Sequence, residues 1–334
     1  MLTPPALAAE TIAACLEQHY GMFNAVPTFL PIGADSNTAV YNIDADGLSF
    51  FLKLRRDDFD PMAVAVPAWL QAQGNQQIMA PIPTRTEKLW VNAYGFDWVL
   101  YPFLDGEDGW TTELSPTQWI ALGASLRAVH DTILPAAIQE RLPREDFGPR
   151  LRQHVRMYDQ QVIRQAFGDP SAVALATWWK TRRDEILTIV DRAERLAAVA
   201  ARQNVSLVLC HTDLHAGNVL LLAHDEIMIV DWDNPLLAPR ERDLMFIGGA
   251  VGGIWNTALE EELFYQGYGP INVDKGLLSY YRYQRIVADL AAYGEEIFGM
   301  QVDGVDREQG VRSVISQWEP GSVVEAAHRI FEQI

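Results

Sequence analysis

One eight-residue segment brings together acidic, amide and imidazole side chains at a spacing that could do chemistry. It reads His211-Thr212-Asp213-Leu214-His215-Ala216-Gly217-Asn218 and lies between two short apolar runs. The Asp213 carboxylate could orient a hydroxyl group and accept its proton. The amide oxygen of Asn218 is a hard ligand that suits magnesium. Further along, the apolar run Ile229-Val230 ends at Asp231, which could supply a carboxylate to the same ion.

The order of these residues along the chain matches a phosphoryl-transfer site. Asp213 and Asn218 have the spacing of the catalytic aspartate and the metal-binding asparagine in the kinase loop H-R-D-x-x-x-x-N. Asp231 then takes the place of the metal-binding aspartate of D-F-G. Lys53, in an apolar strand before both, takes the place of the phosphate-binding lysine. We therefore expect Asp213 to be catalytic, Asn218 and Asp231 to hold Mg²⁺, and Lys53 to bind the phosphates of ATP.

The elements that must position these residues change character along the chain. Runs of β-branched and aromatic residues predict short strands in the first third, around one helix. Apolar residues at helical spacing predict mainly helices after that, starting at the capping pair Ser115-Pro116. Strands are predicted at Thr28 to Ile32, Thr38 to Ile43, Leu48 to Leu54, Leu89 to Ala93 and Asp97 to Phe103, and helices at Pro61 to Gln73, Arg150 to Phe167, Ser171 to Arg202 and Asp274 to Phe298. This is an α+β pattern, with a boundary predicted near Phe103.

On these motifs the chain resembles the aminoglycoside phosphotransferase family. In that family, the catalytic loop has a small residue before the aspartate and a histidine two residues after it, and Thr212 and His215 match these two positions. Asp231-Trp232-Asp233 also fits the family better than D-F-G, and Ala238 to Gly249 adds to the likeness. The resemblance covers nearly the whole chain. It implies a two-lobed protein-kinase-like fold, with a small β-rich N-lobe in residues 1–103 and a large helical C-lobe in residues 104–334.

The same resemblance implies an ATP- and Mg²⁺-dependent enzyme that phosphorylates an alcohol group. The expected acceptor is a small amino-bearing molecule of the aminoglycoside or aminocyclitol antibiotic class. Metabolic kinases of choline, methylthioribose or homoserine share the fold, and the catalytic motifs do not separate them from antibiotic kinases.

The nucleotide site is expected from three parts of the first lobe. The turn at residues 32–37 lacks G-x-G-x-x-G, but Gly33 and the Ser36 hydroxyl could meet phosphate there. Tyr101, Phe103 and Leu104 precede the lobe boundary and, by resemblance, would cover and hydrogen-bond adenine. The helix at 61–73 contains no glutamate for Lys53, which leaves Asp57, Asp58 and Asp60 as candidate partners.

Two readings from other functional classes compete with a kinase. His211, Asp213 and His215 form H-x-D-x-H, which could hold zinc in a metal-dependent hydrolase. That reading leaves Lys53 and Asp231 without a role, whereas in a kinase both histidines would hydrogen-bond backbone and shape the loop. A catalytically silent nucleotide-binding module would lack a base or a metal ligand, and neither is missing here.

Composition narrows the classes of partner. The chain has 334 residues with 44 Asp and Glu against 26 Lys and Arg, so its formal net charge is -18. Such a chain repels nucleic acids and anionic membranes, and it attracts small cationic ligands. The two cysteines, Cys15 and Cys210, lie in apolar stretches and are expected to be buried thiols. With no signal-like segment at the N-terminus and no protein partner implied, the cytoplasm is the expected compartment.

Overall fold

The computed structural model describes residues 3–32, 37–56, 59–299 and 305–334. It confirms the mixed fold, with a small antiparallel sheet in the N-lobe and a helical C-lobe. Its described residues form two compact units. The first unit comprises Met1–Leu114, Ile133–Leu142 and Gly217–Pro235, and the second comprises Ser115–Thr132, Pro143–Ala216 and Leu236–Ile334. The lobe boundary at residue 103 stays a prediction.

Strands and helices are numbered along the chain. The strands are β1 Val26–Leu30, β2 Thr38–Ala45, β3 Leu48–Arg55, β4 Val91–Ala93, β5 Phe96–Pro102, β6 Glu107–Asp108, β7 Val208–Cys210, β8 Val219–Leu221, β9 Ile227–Ile229 and β10 Leu236–Ala238. The helices are α1 Ala9–Tyr20, α2 Met62–Ala72, α3 Pro116–His130, α4 Ala136–Gln139, α5 Arg150–Arg164, α6 Pro170–Ala200, α7 Glu241–Leu244, α8 Ala258–Tyr268, α9 Lys275–Gly294, α10 Val305–Ser316 and α11 Val323–Phe331.

The first unit is built on a five-stranded antiparallel sheet in the order β1-β2-β3-β5-β4. Successive side chains of a strand point to opposite faces, so each strand contributes side chains to both faces of the sheet. One face carries Leu52, Leu54 and Trp98, which are fully buried in a core that also takes in Ile12 and Leu16 of α1. The opposite face carries the intervening residues of β3 and β5, including Lys53. The alternation therefore fixes the face of the sheet on which Lys53 lies.

A second, three-stranded sheet of the first unit, in the order β6-β8-β9, carries the predicted metal ligands. Asn218 directly precedes β8, and Asp231 follows β9 after one residue. The Ile229 N–H donates to the Gln77 carbonyl at 2.7 Å, and the Met79 N–H donates to the Ile229 carbonyl at 3.1 Å. Because backbone hydrogen bonds tie β9 to residues 77–79, the strand before Asp231 is anchored within the first unit.

The second unit is mainly helical around one apolar core. Helices α5, α6 and α9 contribute side chains that are fully buried, among them Val155, Trp179 and Tyr283. The predicted start of α3 is confirmed, since the Ser115 hydroxyl accepts from the Gln118 N–H and the Gln118 side chain accepts from the Ser115 N–H.

Helices α3 and α8 approach each other closely at two glycines. A Cβ atom on Gly123 would lie 2.0 Å from the Phe264 carbonyl oxygen, and one on Gly267 would lie 1.9 Å from the Ile120 carbonyl oxygen. Both distances are far below van der Waals contact, so only glycine fits there. The two helices therefore pack backbone against backbone.

Both cysteines are buried, as the sequence predicts. Cys15 packs in the core of the first unit, and Cys210 ends β7 in the second. Burial raises the pKa of the Cys15 thiol to about 11 and holds the pKa of Cys210 well above its usual range. Among the described residues, no helix has the length and apolar character needed to cross a bilayer.

Candidate active site

Lys53 and two aspartates form the densest charge cluster of the first unit. The Lys53 Nζ atom lies 2.7 Å from Asp231 Oδ1 and 2.8 Å from Asp233 Oδ2. Arg55 adds a second cation, with Nη1 at 3.1 Å from Asp233 Oδ2. Burial alone would lower the pKa of Lys53, but Asp231 and Asp233 outweigh it and raise that pKa. Lys53 therefore stays charged over the whole physiological range.

Sequence reasoning paired Lys53 with Asp231 in function but missed Asp233 and Arg55. Both share a signal with a residue that was found. Arg55 lies two residues after Lys53 and so points to the same face of β3. Asp233 lies two residues after Asp231. The sequence signal for Arg55 and Asp233 is therefore a second charged residue of the same sign, two positions after the predicted one.

Among the described residues, the carboxylates that contact Lys53 are Asp231 and Asp233, and Asp60 of the three candidates near α2 has another partner. Asp60 instead accepts from the Met62 N–H at 2.9 Å, at the start of α2. Asp57 and Asp58 lie outside the described residues, as do Gly33 and Ser36.

Asp231 and Asn218 offer the hard oxygen ligands that magnesium prefers. The Val230 N–H donates to the Asn218 carbonyl at 3.0 Å, which brings Asn218 next to the residue before Asp231. Asp231 has a φ of 64°, a left-handed backbone conformation that is uncommon for residues other than glycine. The surrounding structure must hold such a conformation, and it turns the carboxylate toward Lys53. This donor set fits a Mg²⁺ ion that accompanies ATP.

Tyr101 lies on the same side of the sheet as Lys53. It pairs with Phe51 in the β3–β5 register, two residues from the Lys53–Val99 pair, and it is buried in a small apolar cluster with Val99 and Val64. Burial raises the pKa of the Tyr101 phenol far above its usual range. Tyr101 therefore remains neutral beside the charged cluster.

Phe103 and Leu104 follow the end of β5. The Phe103 N–H donates to the Ser49 carbonyl at 3.3 Å, and its ring is 41% exposed. Leu104 is half-buried. An exposed aromatic ring beside a buried strand end suits a flat ligand such as adenine.

In the second unit, the loop that carries Asp213 is held by one buried carboxylate. Asp243 accepts from the His211 N–H at 2.8 Å through one oxygen and from the Thr212 N–H at 2.7 Å through the other. Thr212 has a φ of 76°, which is strained for a β-branched residue. The two hydrogen bonds to Asp243 stabilise this strained conformation. Asp213 is the next residue of the chain.

The buried side-chain partner of Asp243 is His130. Its Nε2 atom lies 3.1 Å from Asp243 Oδ2, and its Nδ1 atom lies 2.7 Å from the Tyr268 hydroxyl. Burial alone would raise the pKa of Asp243, but the His130 contact and the loop N–H groups lower it. His130 reaches Asp243 from a distant part of the sequence because α3 packs on β7.

The Asp213 carboxylate has a donor at each oxygen. Arg285 Nη1 lies 2.6 Å from Oδ1, and His215 Nε2 lies 3.5 Å from Oδ2. Burial alone would raise the pKa of Asp213, yet the His215 contact and the Arg285 charge hold that pKa well below its usual range. Asp213 is therefore ionised at every pH of interest and still 42% exposed.

The two histidines of the loop behave differently. The Asp213 N–H donates to His211 Nδ1 at 3.2 Å, which confirms that His211 shapes the backbone. The His215 ring instead faces the carboxylate of Asp213. Among the described residues, the one group of three or more His, Cys, Asp or Glu side chains close enough to share an ion is His130, Cys210 and Asp243, and the H-x-D-x-H side chains do not form such a group.

Comparison with known proteins gives the family. Residues 28–280 match the profile of the phosphotransferase enzyme family. The chain belongs to this family. It is accordingly an ATP-dependent phosphotransferase of the kinase-like type, with Mg²⁺ as the metal and a hydroxyl group as acceptor.

Within the family, the chain is similar in structure to spectinomycin phosphotransferase APH(9)-Ia. The crystal structure of that enzyme in complex with ADP and spectinomycin has a TM-score of 0.93 and 36% sequence identity, covering 99% of this chain and 100% of the other. Protein StrN of Streptomyces griseus is 27% identical over 221 residues, 64% of this chain and 67% of that protein. An aminoglycoside phosphotransferase from Alicyclobacillus acidocaldarius, with 14% identity and a TM-score of 0.64, shares the fold.

Proposed function

We propose that this phosphotransferase transfers the γ-phosphoryl group of ATP to a hydroxyl of spectinomycin or of a closely related aminocyclitol. The observation that carries the proposal is the likeness to APH(9)-Ia, which holds over nearly the full length of both chains. The resemblance to the spectinomycin enzyme is also visible in the sequence, in Ala238 to Gly249, Trp255-Asn256 and Tyr280 to Arg282.

The charges around Asp213 support an acceptor that carries protonated amines. One guanidinium, Arg285, contacts two carboxylates, Asp213 and Asp289. These two carboxylates outnumber the one guanidinium, which favours an acceptor that brings a protonated amine to this place. The net charge of -18 favours capture of such a cation from solution.

In this proposal each predicted residue has one task. Asp213 orients the acceptor hydroxyl and receives its proton late, as its low pKa requires and as a loose phosphoryl-transfer transition state allows. Lys53 binds nucleotide phosphate. Asn218 and Asp231 hold Mg²⁺, which supplies charge neutralisation across the phosphates.

The remaining predicted residues serve the nucleotide. Tyr101, Phe103 and Leu104 contact adenine, and Gly33 and Ser36 approach the phosphates. We propose that the enzyme works in the cytoplasm, where ATP is supplied, and that it needs no protein or nucleic-acid partner.

The test is turnover of ATP against a panel of acceptors. The panel contains spectinomycin, other aminocyclitols and aminoglycosides, choline, methylthioribose and homoserine. We expect spectinomycin to give the highest kcat/KM and a product heavier by one phosphoryl group in mass spectrometry. Asp213→Asn should lower that turnover by about two to four orders of magnitude, since it removes the proton acceptor.

Two results would count against the proposal in different ways. If another panel member is phosphorylated efficiently while spectinomycin is not, the acceptor is wrong and the phosphotransferase assignment stands. If Asp213→Asn keeps full turnover, Asp213 has no catalytic role.

A further inference from the structure

Arg285 occupies an unusual position for an arginine in an acceptor-binding lobe. It projects from the middle of α9 and places Nη1 2.6 Å from Asp213 Oδ1. Its Nε atom lies 3.1 Å from Asp289 Oδ2, one helical turn further along α9. Its guanidinium lies over the ring of Phe246, 5.7 Å from the centroid. Three different contacts thus define where this guanidinium lies.

These contacts distinguish Arg285 from an ordinary surface ion pair. Exposed pairs contribute little because two long side chains must be ordered in water. The Arg285 side chain is only 24% exposed, and Asp289 is exposed to the same extent. Since a carboxylate and an aromatic ring already order the guanidinium, its third contact can fix another group at small entropic cost.

The group that it fixes is the proposed catalytic carboxylate. Arg285 holds Oδ1 of Asp213, and His215 approaches Oδ2 at 3.5 Å. The backbone is held independently, since the Asp213 N–H donates to His211 Nδ1. A carboxylate that is held at one oxygen by a short ionic hydrogen bond has a defined rotation about its Cβ–Cγ bond.

We propose that Arg285 is a positioning residue for the reaction, which holds one oxygen of Asp213 so that the other faces the acceptor hydroxyl, and that Asp289 holds Arg285 in turn. The inference rests on the proposed catalytic role of Asp213. Positioning matters here because phosphoryl transfer is accelerated mainly by orientation and by charge stabilisation.

The electrostatics of the cluster lead to a measurable consequence. The charged and titratable groups around Asp213 are Arg285, His215 and Asp289, with the Tyr293 phenol beside Asp289. Burial raises the pKa of Asp213, and the contacts with His215 and Arg285 lower it further than burial raises it. Without Arg285, the pKa of Asp213 should rise toward its usual range, and its Oδ1 atom should lose the contact that fixes its orientation.

The experiment compares Arg285→Gln, Arg285→Lys and Asp289→Asn with wild type, using the panel acceptor that supports the highest turnover. We expect Arg285→Gln to lower kcat by about 10- to 100-fold, with little change in the KM for ATP. Arg285→Lys should recover part of the lost kcat, and Asp289→Asn should be intermediate. Arg156→Gln, which removes a more exposed ion pair with Asp191 and Glu194, is the matched control.

A double variant separates positioning from a general structural effect. If Arg285 acts through Asp213, adding Arg285→Gln to Asp213→Asn should cause almost no further loss, because the two residues act as a unit. Multiplicative losses, or a kcat that is unchanged in Arg285→Gln, would overturn the inference. If Asp213→Asn itself is fully active, the proposed role of Asp213 fails instead. Should Arg285→Gln not fold, Arg285→Lys and Asp289→Asn give the same comparison.

Discussion

Lys53 contacts two carboxylates at once, and this shapes how it can serve a nucleotide. With Asp231 at 2.7 Å and Asp233 at 2.8 Å, two of its three ammonium donors are engaged. If Asp231 also holds Mg²⁺, as proposed, this carboxylate would be shared with the ion, and Lys53 would be available to phosphate oxygens. Asp233 would still hold Lys53 through its ion pair at 2.8 Å.

Replacement of Lys53 tests this role. We expect Lys53→Met to raise the KM for ATP or lower kcat by at least about tenfold, because the phosphates lose a buried cation. The fold should survive, since methionine fills a similar volume. Lys180→Met, at an exposed position of α6, is the matched control. Steady-state kinetics and calorimetry of Mg–ATP binding measure the effect, and wild-type behaviour of Lys53→Met would reduce Lys53 to a structural ion pair.

Single residues were predictable from the sequence where spacing carries the signal. Lys53, the Asp213 loop and Asp231 occur in a fixed order along the chain, and this order can be read from the sequence alone. Arg285 and His130 were not predictable in this way. Each reaches its partner from a helix far away in sequence, 72 residues from Asp213 and 113 residues from Asp243. The packing of the helices determines which side chain reaches Asp213 and which reaches Asp243.

At the scale of elements, the loop before Asp213 depends on helix α7. Asp243 lies in α7 and accepts the backbone N–H groups of His211 and Thr212. In Asp243→Asn, one carboxylate oxygen becomes an NH₂ group that faces a backbone N–H. We expect the free energy of unfolding to fall by about 1–3 kcal/mol, the cost of a buried donor without an acceptor. Turnover should fall as well, because strained Thr212 loses its support. Chemical denaturation and kinetics measure both, and an unaffected variant would contradict the role of α7.

The lowered pKa of Asp243 gives this stabilisation a pH dependence. The folded-state pKa lies below the unfolded value of about 3.9. Its contribution is therefore fully present above that value and is lost as the pH falls through and below it. The difference in melting temperature between wild type and Asp243→Asn should be constant from neutral pH down to about 5 and should shrink below about 4. A difference that grows in acid would contradict this assignment.

The crossing of α3 and α8 makes a second element-scale prediction. Gly123→Ala would place a methyl group against the Phe264 carbonyl and force the helices apart. We expect a loss of stability of about 1–3 kcal/mol, typical of overpacking. Because α3 carries His130 and α8 carries Tyr268, turnover should fall too. Gly168→Ala is the control, since its added Cβ meets no atom within 4 Å and its φ is not left-handed. If Gly123→Ala and Gly168→Ala are equally stable, α3 and α8 can move apart at little cost and the prediction is wrong.

Elements were predicted well where periodicity is strong. Strands β2, β3 and β5 lie within one or two residues of the expected bounds, and helix α3 begins where its start was predicted. Helix α1 was missed, although Ile12, Cys15 and Leu16 have helical spacing and pack on the sheet. Ala8 at its N-cap has no capping side chain, so the start of the helix carries no sequence signal.

At the scale of the whole molecule, the charge of -18 acts in opposite directions on the two substrates. It attracts a cationic acceptor and repels Mg–ATP, which is itself a net anion. Raising the salt concentration from about 0.1 M to 1 M shortens the Debye length from about 10 Å to about 3 Å. We expect kcat/KM for a cationic acceptor to fall by up to about tenfold, while kcat/KM for Mg–ATP rises or stays constant. If kcat/KM changes with salt concentration in the same direction and by the same factor for both substrates, the net charge of the chain does not influence their capture.

The burial of Cys15 and Cys210 makes the chain a convenient host for site-specific labels. Thiol reagents attack the thiolate, and both native thiols are shielded and have raised pKa values. A cysteine introduced at an exposed place, such as Ile133 with 91% exposure in the first unit or Met157 with 53% in the second, would therefore react alone. A fluorophore pair at these two positions would report the separation of the units in solution, with and without nucleotide, in an otherwise native background.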